Sequence, residues 1–166
     1  MPGASGSAEE DDRSVVAALL GRDPRADFDV VVRDPEGVPV VIRNAPLLED
    51  GTPMPTRYYL VDRELNRRIG TLEAAGGVRE AEHEVGLAEI EATHRRYAAE
   101  RDAAIPDRWT GPRPSGGVGG TRRGLKCLHA HYAHHLAGGD DPVGRWVEGR
   151  LRDVPVRSAR SGGSTA

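Results

Sequence analysis

Two runs of β-branched residues separated by a short turn constrain this chain more than any other feature of its sequence. Residues 28–33 read FDVVVR and residues 38–43 read VPVVIR. Residues 34–37 between them (DPEG) are typical of a turn, because proline presets φ and glycine tolerates positive φ. The pattern predicts a β-hairpin over 28–43. Pro39 near the start of the second strand favours an edge position for that strand.

The rest of the chain is mainly helical in pattern. A third strand is predicted over 57–61, where it joins the hairpin in a small antiparallel sheet. Asp62 reads as the N-cap of the helix that follows, and Gly86 is a candidate break in the longest helical stretch. The fold class is therefore α+β, with the sheet packed by helices. Helical spacing of apolar residues predicts helices over 9–20, 63–75, 78–105 and 125–137, and a last short helix opened by Asp140, Asp141 and Pro142.

The length of 166 residues fits one domain with tails. We expect a disordered tail over 1–8, a single domain over 9–152 and a second disordered tail over 153–166. Hydrophobic residues make up 37% of the chain and aromatic residues only 4%, so aliphatic side chains and alanine must fill a modest core.

Composition also excludes several classes of partner and location. No apolar run approaches the roughly 20 residues of a membrane-spanning helix. Residues 1–12 are small and acidic, which does not fit a signal peptide. We therefore expect a cytoplasmic protein with no membrane partner. The net charge of −3 argues against a dedicated nucleic-acid binder.

One cysteine and a cluster of histidines form the first candidate site. Cys127 is the single cysteine, which excludes an intramolecular disulfide and an all-cysteine metal site. On a continuous helix, Cys127, His131 and either His134 or His135 share one face. Cysteine and histidine four residues apart can bind one metal ion, so these residues are candidate ligands. The alternative is that they fill the core, and it is favoured because a fourth ligand is not evident.

The segment 115–124 (SGGVGGTRRG) is the second candidate. Glycine-rich amides before a helix can hold a phosphate group, with charge supplied by Arg122, Arg123, Lys126 and His129. The pattern is neither a Walker A motif nor a dinucleotide-binding fingerprint. A flexible linker is the simpler interpretation of such a segment.

Several segments together resemble the bacterial domain of unknown function 501 family, which is associated with actinobacteria. The DGTPxPTxYYL stretch and the KCLHA…AH helix are the specific parts, and the resemblance spans about residues 14–151. The segments that carry it are 44–60 (NAPLLEDGTPMPTRYYL), 69–74 (IGTLEA), 115–117 (SGG), 125–130 (LKCLHA) and 133–134 (AH).

The resemblance implies a family pattern with more cysteines than this chain has. The pattern holds a Cys-Pro-Cys-Gly turn, a cysteine after the YYL strand and the cysteine of the KCLH helix, which together with two histidines look like a metal or redox cluster. Here residues 34–39 (DPEGVP) stand at the turn and Asp62 stands at the later position, while Cys127, His129 and His134 remain.

Two interpretations of this departure stay open. In one, the cluster has been lost and the acids are surface replacements. In the other, an oxygen-richer site persists, in which Asp34 or Glu36, Asp62, Cys127 and His134 hold zinc or another divalent metal. Loss is the simpler interpretation, because a thiolate site seldom converts intact. We therefore expect no metal cofactor in this member.

Three classes of function follow for the surface formed by helix 125–137 and the loop before it. The first is a metal-binding protein or metal-dependent enzyme with a degenerate Cys/His site. The second is a non-catalytic interaction module that presents helix 78–105 to an unknown protein partner. The third is a binder of phosphate ligands at 115–124. The sequence does not decide whether the protein is an enzyme.

Overall fold

The computed structural model describes the backbone of residues 5–153 and the side chains of residues 10–153. It confirms the α+β class, with a three-stranded antiparallel sheet packed against six helices in the described part of the chain. In chain order the elements are α1 Ser5–Leu20, β1 Phe28–Arg33, β2 Pro39–Asn44, β3 Tyr58–Leu60, α2 Arg63–Ala74, α3 Gly77–Val85, α4 Leu87–Ala103, α5 Leu128–Leu136 and α6 Pro142–Asp153.

The sheet has the order β1-β2-β3, and the predicted hairpin and third strand are both confirmed. In the hairpin turn, the amide of Asp34 donates to the Val38 carbonyl at 2.9 Å. The predicted edge position of the Pro39 strand is wrong, because β2 is the central strand. Proline is tolerated there because β3 is short: it pairs with β2 only from Val41 onward, so Pro39 lies beyond it.

Helix α5 lies at the centre of the core. It packs against α6, β3 and α2, and its Leu128 and Ala133 are fully buried. Ile69 of α2 and Val147 of α6 are also fully buried in this cluster. A second, smaller cluster joins α1 to the outer face of β2. The helix at 63–75 is confirmed as α2, and Asp62 caps it by accepting the Leu65 amide at 2.8 Å.

The predicted helix over 78–105 is two helices, because Gly86 breaks it with φ 88° and ψ 142°. The predicted helix over 125–137 begins only at Leu128, and Cys127 has extended backbone with φ −151° and ψ 159°. Helix α1 begins at Ser5, earlier than predicted.

The predicted tails fall partly on residues 1–4 and 154–166, which lie outside the described residues. The boundaries 9–152 of the single domain stay a prediction, as does an interaction surface on α3 and α4. Among the described helices, none has the length and apolar character needed to cross a membrane.

We predict opposite effects for alanine at two glycines, one between α3 and α4 and one inside α2. Gly86 adopts a conformation that side-chain-bearing residues rarely take, so Gly86→Ala should lower the free energy of unfolding by about 1–3 kcal/mol. Gly70, inside α2, has open space around it. Gly70→Ala should therefore raise the free energy of unfolding by about 0.5–1 kcal/mol. Urea denaturation followed by tryptophan fluorescence measures the free energy of unfolding of both variants. Equal effects of the two substitutions would contradict the conclusion that the backbone at Gly86 requires glycine.

Candidate functional site

Cys127 lies at the first turn of α5 and lines a cavity of about 340 Å³. The thiol is partly exposed. Because Cys127 stands at the N-cap, its sulfur lies near the positive end of the helix dipole, which favours a thiolate. The cavity is also lined by Thr56, Tyr59, Leu60, Asn66, Lys126 and His129.

His129 lines the same cavity as Cys127 and contacts a carboxylate. Its Nδ1 lies 2.8 Å from Oε1 of Glu73, at the end of α2. Its Nε2 lies 3.2 Å from the carbonyl oxygen of Asn66. Both neighbours are acceptors, so the ring satisfies both contacts only when both nitrogens carry protons. The surroundings of His129 therefore favour the imidazolium form.

Glu73 also makes a second hydrogen bond, which holds its carboxylate in place. Its Oε2 accepts the backbone amide of Leu128 at 3.0 Å. The same carboxylate therefore caps the start of α5 and faces the ring of His129. Because α2 places Glu73 and α5 places Cys127 and His129, the packing of these two helices builds the site.

The pKa values of the two groups move in opposite directions. Burial raises the pKa of the Cys127 thiol, but the His129 side chain and the Ala130 amide outweigh burial, so the thiol pKa lies below its ordinary value. The contact with Cys127 raises the pKa of His129, helped by Glu73 and Asn66 against burial. Both directions favour a thiolate–imidazolium pair, which is the reactive form of a cysteine nucleophile.

The predicted metal ligands are not brought together in the described structure. Asp34 accepts the amides of Glu36 and Val38 within the hairpin turn, at 2.9 and 2.8 Å, and Asp62 caps α2. Because Cys127 precedes the helix, it does not share the helical face predicted for it with His131 and His134. Residues 10–153 contain no group of three or more histidine, cysteine, aspartate or glutamate side chains arranged to hold a metal ion.

His131 and His134 instead share one buried carboxylate. Asp141 has no solvent exposure. It lies 2.8 Å from Nδ1 of His131 and 3.0 Å from Nδ1 of His134. It also accepts the amides of Val143 and Gly144, each at 3.0 Å, and so caps α6. Burial raises the pKa of Asp141, but the two histidines outweigh it, so the pKa lies well below its ordinary value.

The glycine-rich segment 115–124 is held against the core rather than serving as a flexible linker. Nδ1 of His94 accepts the amide of Val118 at 3.0 Å, and its Nε2 donates to the Gly124 carbonyl at 2.8 Å. The buried Arg101 donates to the Gly116 carbonyl at 2.9 Å. Burial lowers the pKa of His94, in keeping with the neutral ring that these two bonds require.

Four backbone amides of this segment already have protein acceptors. The amides of 117, 118, 120 and 121 bond within the segment or to His94, and that of Leu125 donates to Glu82 at 2.8 Å. Of the predicted anion contacts, Lys126 and His129 line the cavity at Cys127, whereas Arg122 and Arg123 are exposed outside its lining. Anion binding therefore has its support in side chains rather than in a backbone cradle.

Three residues with buried or partly buried contacts, Glu73, Asp141 and Glu100, are not among the predicted site residues. Glu73 lies in the IGTLEA segment that carries the family resemblance, and this membership is the sequence signal that could have identified it. Asp141 was predicted only to open the last helix, which it does. Glu100, which accepts the hydroxyl of Tyr58, has no signal, because the contact joins distant parts of the chain.

We predict that Asp141→Asn destabilises the fold strongly. An amide oxygen replaces two carboxylate oxygens, while four donors from α5 and α6 still point at the position. The loss should be about 3 kcal/mol in the free energy of unfolding. Asp140→Asn is the matched control, because Asp140 is exposed and its salt bridges should contribute little. Equal stability of the two variants in urea would contradict the network.

We also predict two losses of stability on acidification, one from His94 and one from Asp141, against an opposing gain from His129, whose raised pKa makes its contribution grow as the pH falls. The folded-state pKa of His94 is lowered, so its contribution is present above the unfolded pKa of about 6.5 and is lost as the pH falls below it. Asp141 also has a lowered pKa, so its contribution is lost as the pH falls below about 4. Urea midpoints from pH 8 downward measure both, and His94→Gln should remove the first loss only.

The sequence model of the family described as "Protein of unknown function (DUF501)" matches residues 30–149, from β1 to α6. None of the curated proteins and none of the solved structures shows a significant match to the chain. The matched range includes Glu73, Cys127, His129 and Asp141. The chain therefore belongs to the DUF501 family, as the resemblance of its motifs predicts.

Proposed function

We propose that this protein is a cysteine-dependent enzyme that transfers or hydrolyses an acyl group of a small molecule at the cavity beside α5. The observation that carries the proposal is the position of His129, which lines the same cavity as Cys127 and has its Nδ1 2.8 Å from Oε1 of Glu73. A nucleophile beside a base, with the base held by a third group, is the arrangement of covalent catalysis by cysteine.

The chemistry follows from the protonation state of this pair. The Cys127 thiolate attacks the carbonyl carbon of the substrate, so that an S–C bond forms and the bond to the leaving group breaks. The His129 imidazolium gives its Nε2 proton, which faces the Asn66 carbonyl in the free protein, to the leaving group. Water, or an acceptor hydroxyl, then attacks the thioester while His129 takes its proton. The S–C bond breaks and the thiolate–imidazolium pair is restored.

The charges around the cavity favour an anionic substrate. Lys126 and His129 both line it, and none of its described lining residues is acidic. This supports the predicted anion contacts at Lys126 and His129, with the anion in the cavity rather than on the amides of 115–124. A single ammonium group near the thiolate also lowers the cost of charge that develops on a substrate oxygen.

The proposal includes the loss of the cysteine cluster that the family pattern implies. Asp34 and Asp62 stand at cysteine positions of that pattern, and each accepts backbone hydrogen bonds in its own turn or helix start. Cys127 and His129, which remain, line the same cavity. We therefore propose that Cys127 reacts as a single thiol without a divalent metal.

Alkylation by iodoacetamide tests the pair, because Cys127 is the single cysteine of the chain. The rate should rise with pH through an inflection below the ordinary thiol pKa of about 8.5. His129→Gln should move the inflection upward and should slow the reaction at neutral pH by about tenfold. His135→Gln is the control: His135 is also on α5, but its partner is Glu148 at 3.1 Å.

Acyl transfer itself is measured with p-nitrophenyl acetate. Intact-mass spectrometry should find an acetyl group on the wild-type protein, and released p-nitrophenol should exceed one equivalent as the thioester turns over. Cys127→Ala should abolish both signals, and EDTA should change neither. An inflection at the same pH in the wild type and His129→Gln, or acetylation that persists in Cys127→Ala, would contradict the proposal.

A further inference from the structure

A second cavity lies next to the one at Cys127. It has a volume of about 170 Å³ and lies between the end of α1 and the outer face of the sheet. Leu20, Ile42 and Met54 give it apolar walls. Arg22 and Arg25 also line it, and both are exposed. This cavity has no part in the chemistry at Cys127.

Thr56 and Tyr59 belong to the lining of both cavities. Tyr59 is 40% exposed, which is unusual for a large aromatic side chain in this protein. Along β3 its neighbours Tyr58 and Leu60 are buried, so Tyr59 points to the opposite face of the strand. The two cavities therefore adjoin at Tyr59, and one elongated molecule can occupy both.

The charges of the two cavities have one sign. Lys126 and His129 line the first, and Arg22 and Arg25 line the second, whereas the described lining of both contains no carboxylate. The basic lining does not follow from the composition of the chain, because acidic residues outnumber lysine and arginine by 26 to 23. Neither Arg22 nor Arg25 forms a salt bridge with a described residue. Arg22 donates to the Asp23 carbonyl at 3.3 Å, and the charge of Arg25 acts on the exposed carboxylate of Asp50. Both guanidinium groups keep further donors for an anion.

We infer that the substrate is an elongated acyl compound with an anionic group at the end remote from the reacting carbon. The acyl carbon lies at Cys127, the apolar body crosses Tyr59, and the remote anion binds Arg22 and Arg25. The inference rests on the proposed function, because it takes Cys127 as the nucleophile. It adds a substrate class and a specificity site that lies on a different part of the chain.

A series of iodoacetylated amino acids tests this arrangement. The probes carry one iodoacetyl group on glycine, β-alanine, γ-aminobutyrate or ε-aminocaproate, and each has an uncharged methyl ester as its control. In every case the thiolate displaces iodide: an S–C bond forms, a C–I bond breaks and iodide leaves. The reactive group is constant, so differences in rate report the distance and charge of the remote end.

We expect the rate of Cys127 alkylation to saturate with probe concentration for one of the longer acids and to exceed that of its methyl ester by about tenfold. Arg22→Gln combined with Arg25→Gln should remove this advantage. Arg95→Gln is the matched control, because Arg95 is an exposed arginine on α4 that lines neither cavity. Replacement of exposed arginines leaves the fold intact, which equal thermal melting of the variants would verify.

The outcomes separate the inference from the proposed function. The arginine variants should react with iodoacetamide at the wild-type rate, since that reagent has no remote anionic group and its rate depends on the thiolate alone. If acids and esters react equally at every length, or if the double variant keeps the advantage, the inference is overturned while the thiolate chemistry stands. If iodoacetamide itself finds an ordinary thiol, the proposed function fails and the inference fails with it.

Discussion

The carboxylate of Asp141 lies in the interior without solvent exposure, and the arrangement of the C-terminal helices depends on it. Burial of an unpaired charge would be very costly, so the position is stable only because two histidines of α5 and two amides of α6 surround the carboxylate. These contacts fix the angle between α5 and α6. Since α5 also packs on α2 and β3, the same carboxylate determines where the first turn of α5 lies.

The position of that first turn also determines where Cys127 lies. A thiol at the start of a helix meets the positive end of the helix dipole, and a histidine two residues later can turn back towards it. Glu73 completes the group from the neighbouring helix, where it also binds the Leu128 amide. The group of Cys127, His129 and Glu73 therefore combines the start of α5 with the end of α2, and neither helix alone contains all three residues.

Local patterns predicted the secondary structure well and the site only in part. The hairpin, the third strand and the Asp62 cap depend on neighbouring residues, so turn and cap chemistry found them. The metal face of helix 125–137 assumed that Cys127 is helical, and that assumption failed because Cys127 is extended at the N-cap. The partners of the histidines, Glu73 and Asp141, could be assigned only with tertiary structure. Periodicity places a histidine on a face but does not say which carboxylate meets it.

Adjacent side chains of β3 have different surroundings. Tyr58 is buried and stacks on His134 at a ring distance of 5.6 Å, although it also lines the first cavity, while Tyr59 is partly exposed and lines both cavities. Helix α5 makes a similar division, because His129 faces the cavity and His131 faces Asp141. Evolution can therefore change ligand preference through one set of positions while the other set preserves the fold. Members of the family could diverge in what they bind without first acquiring compensating changes in their interior.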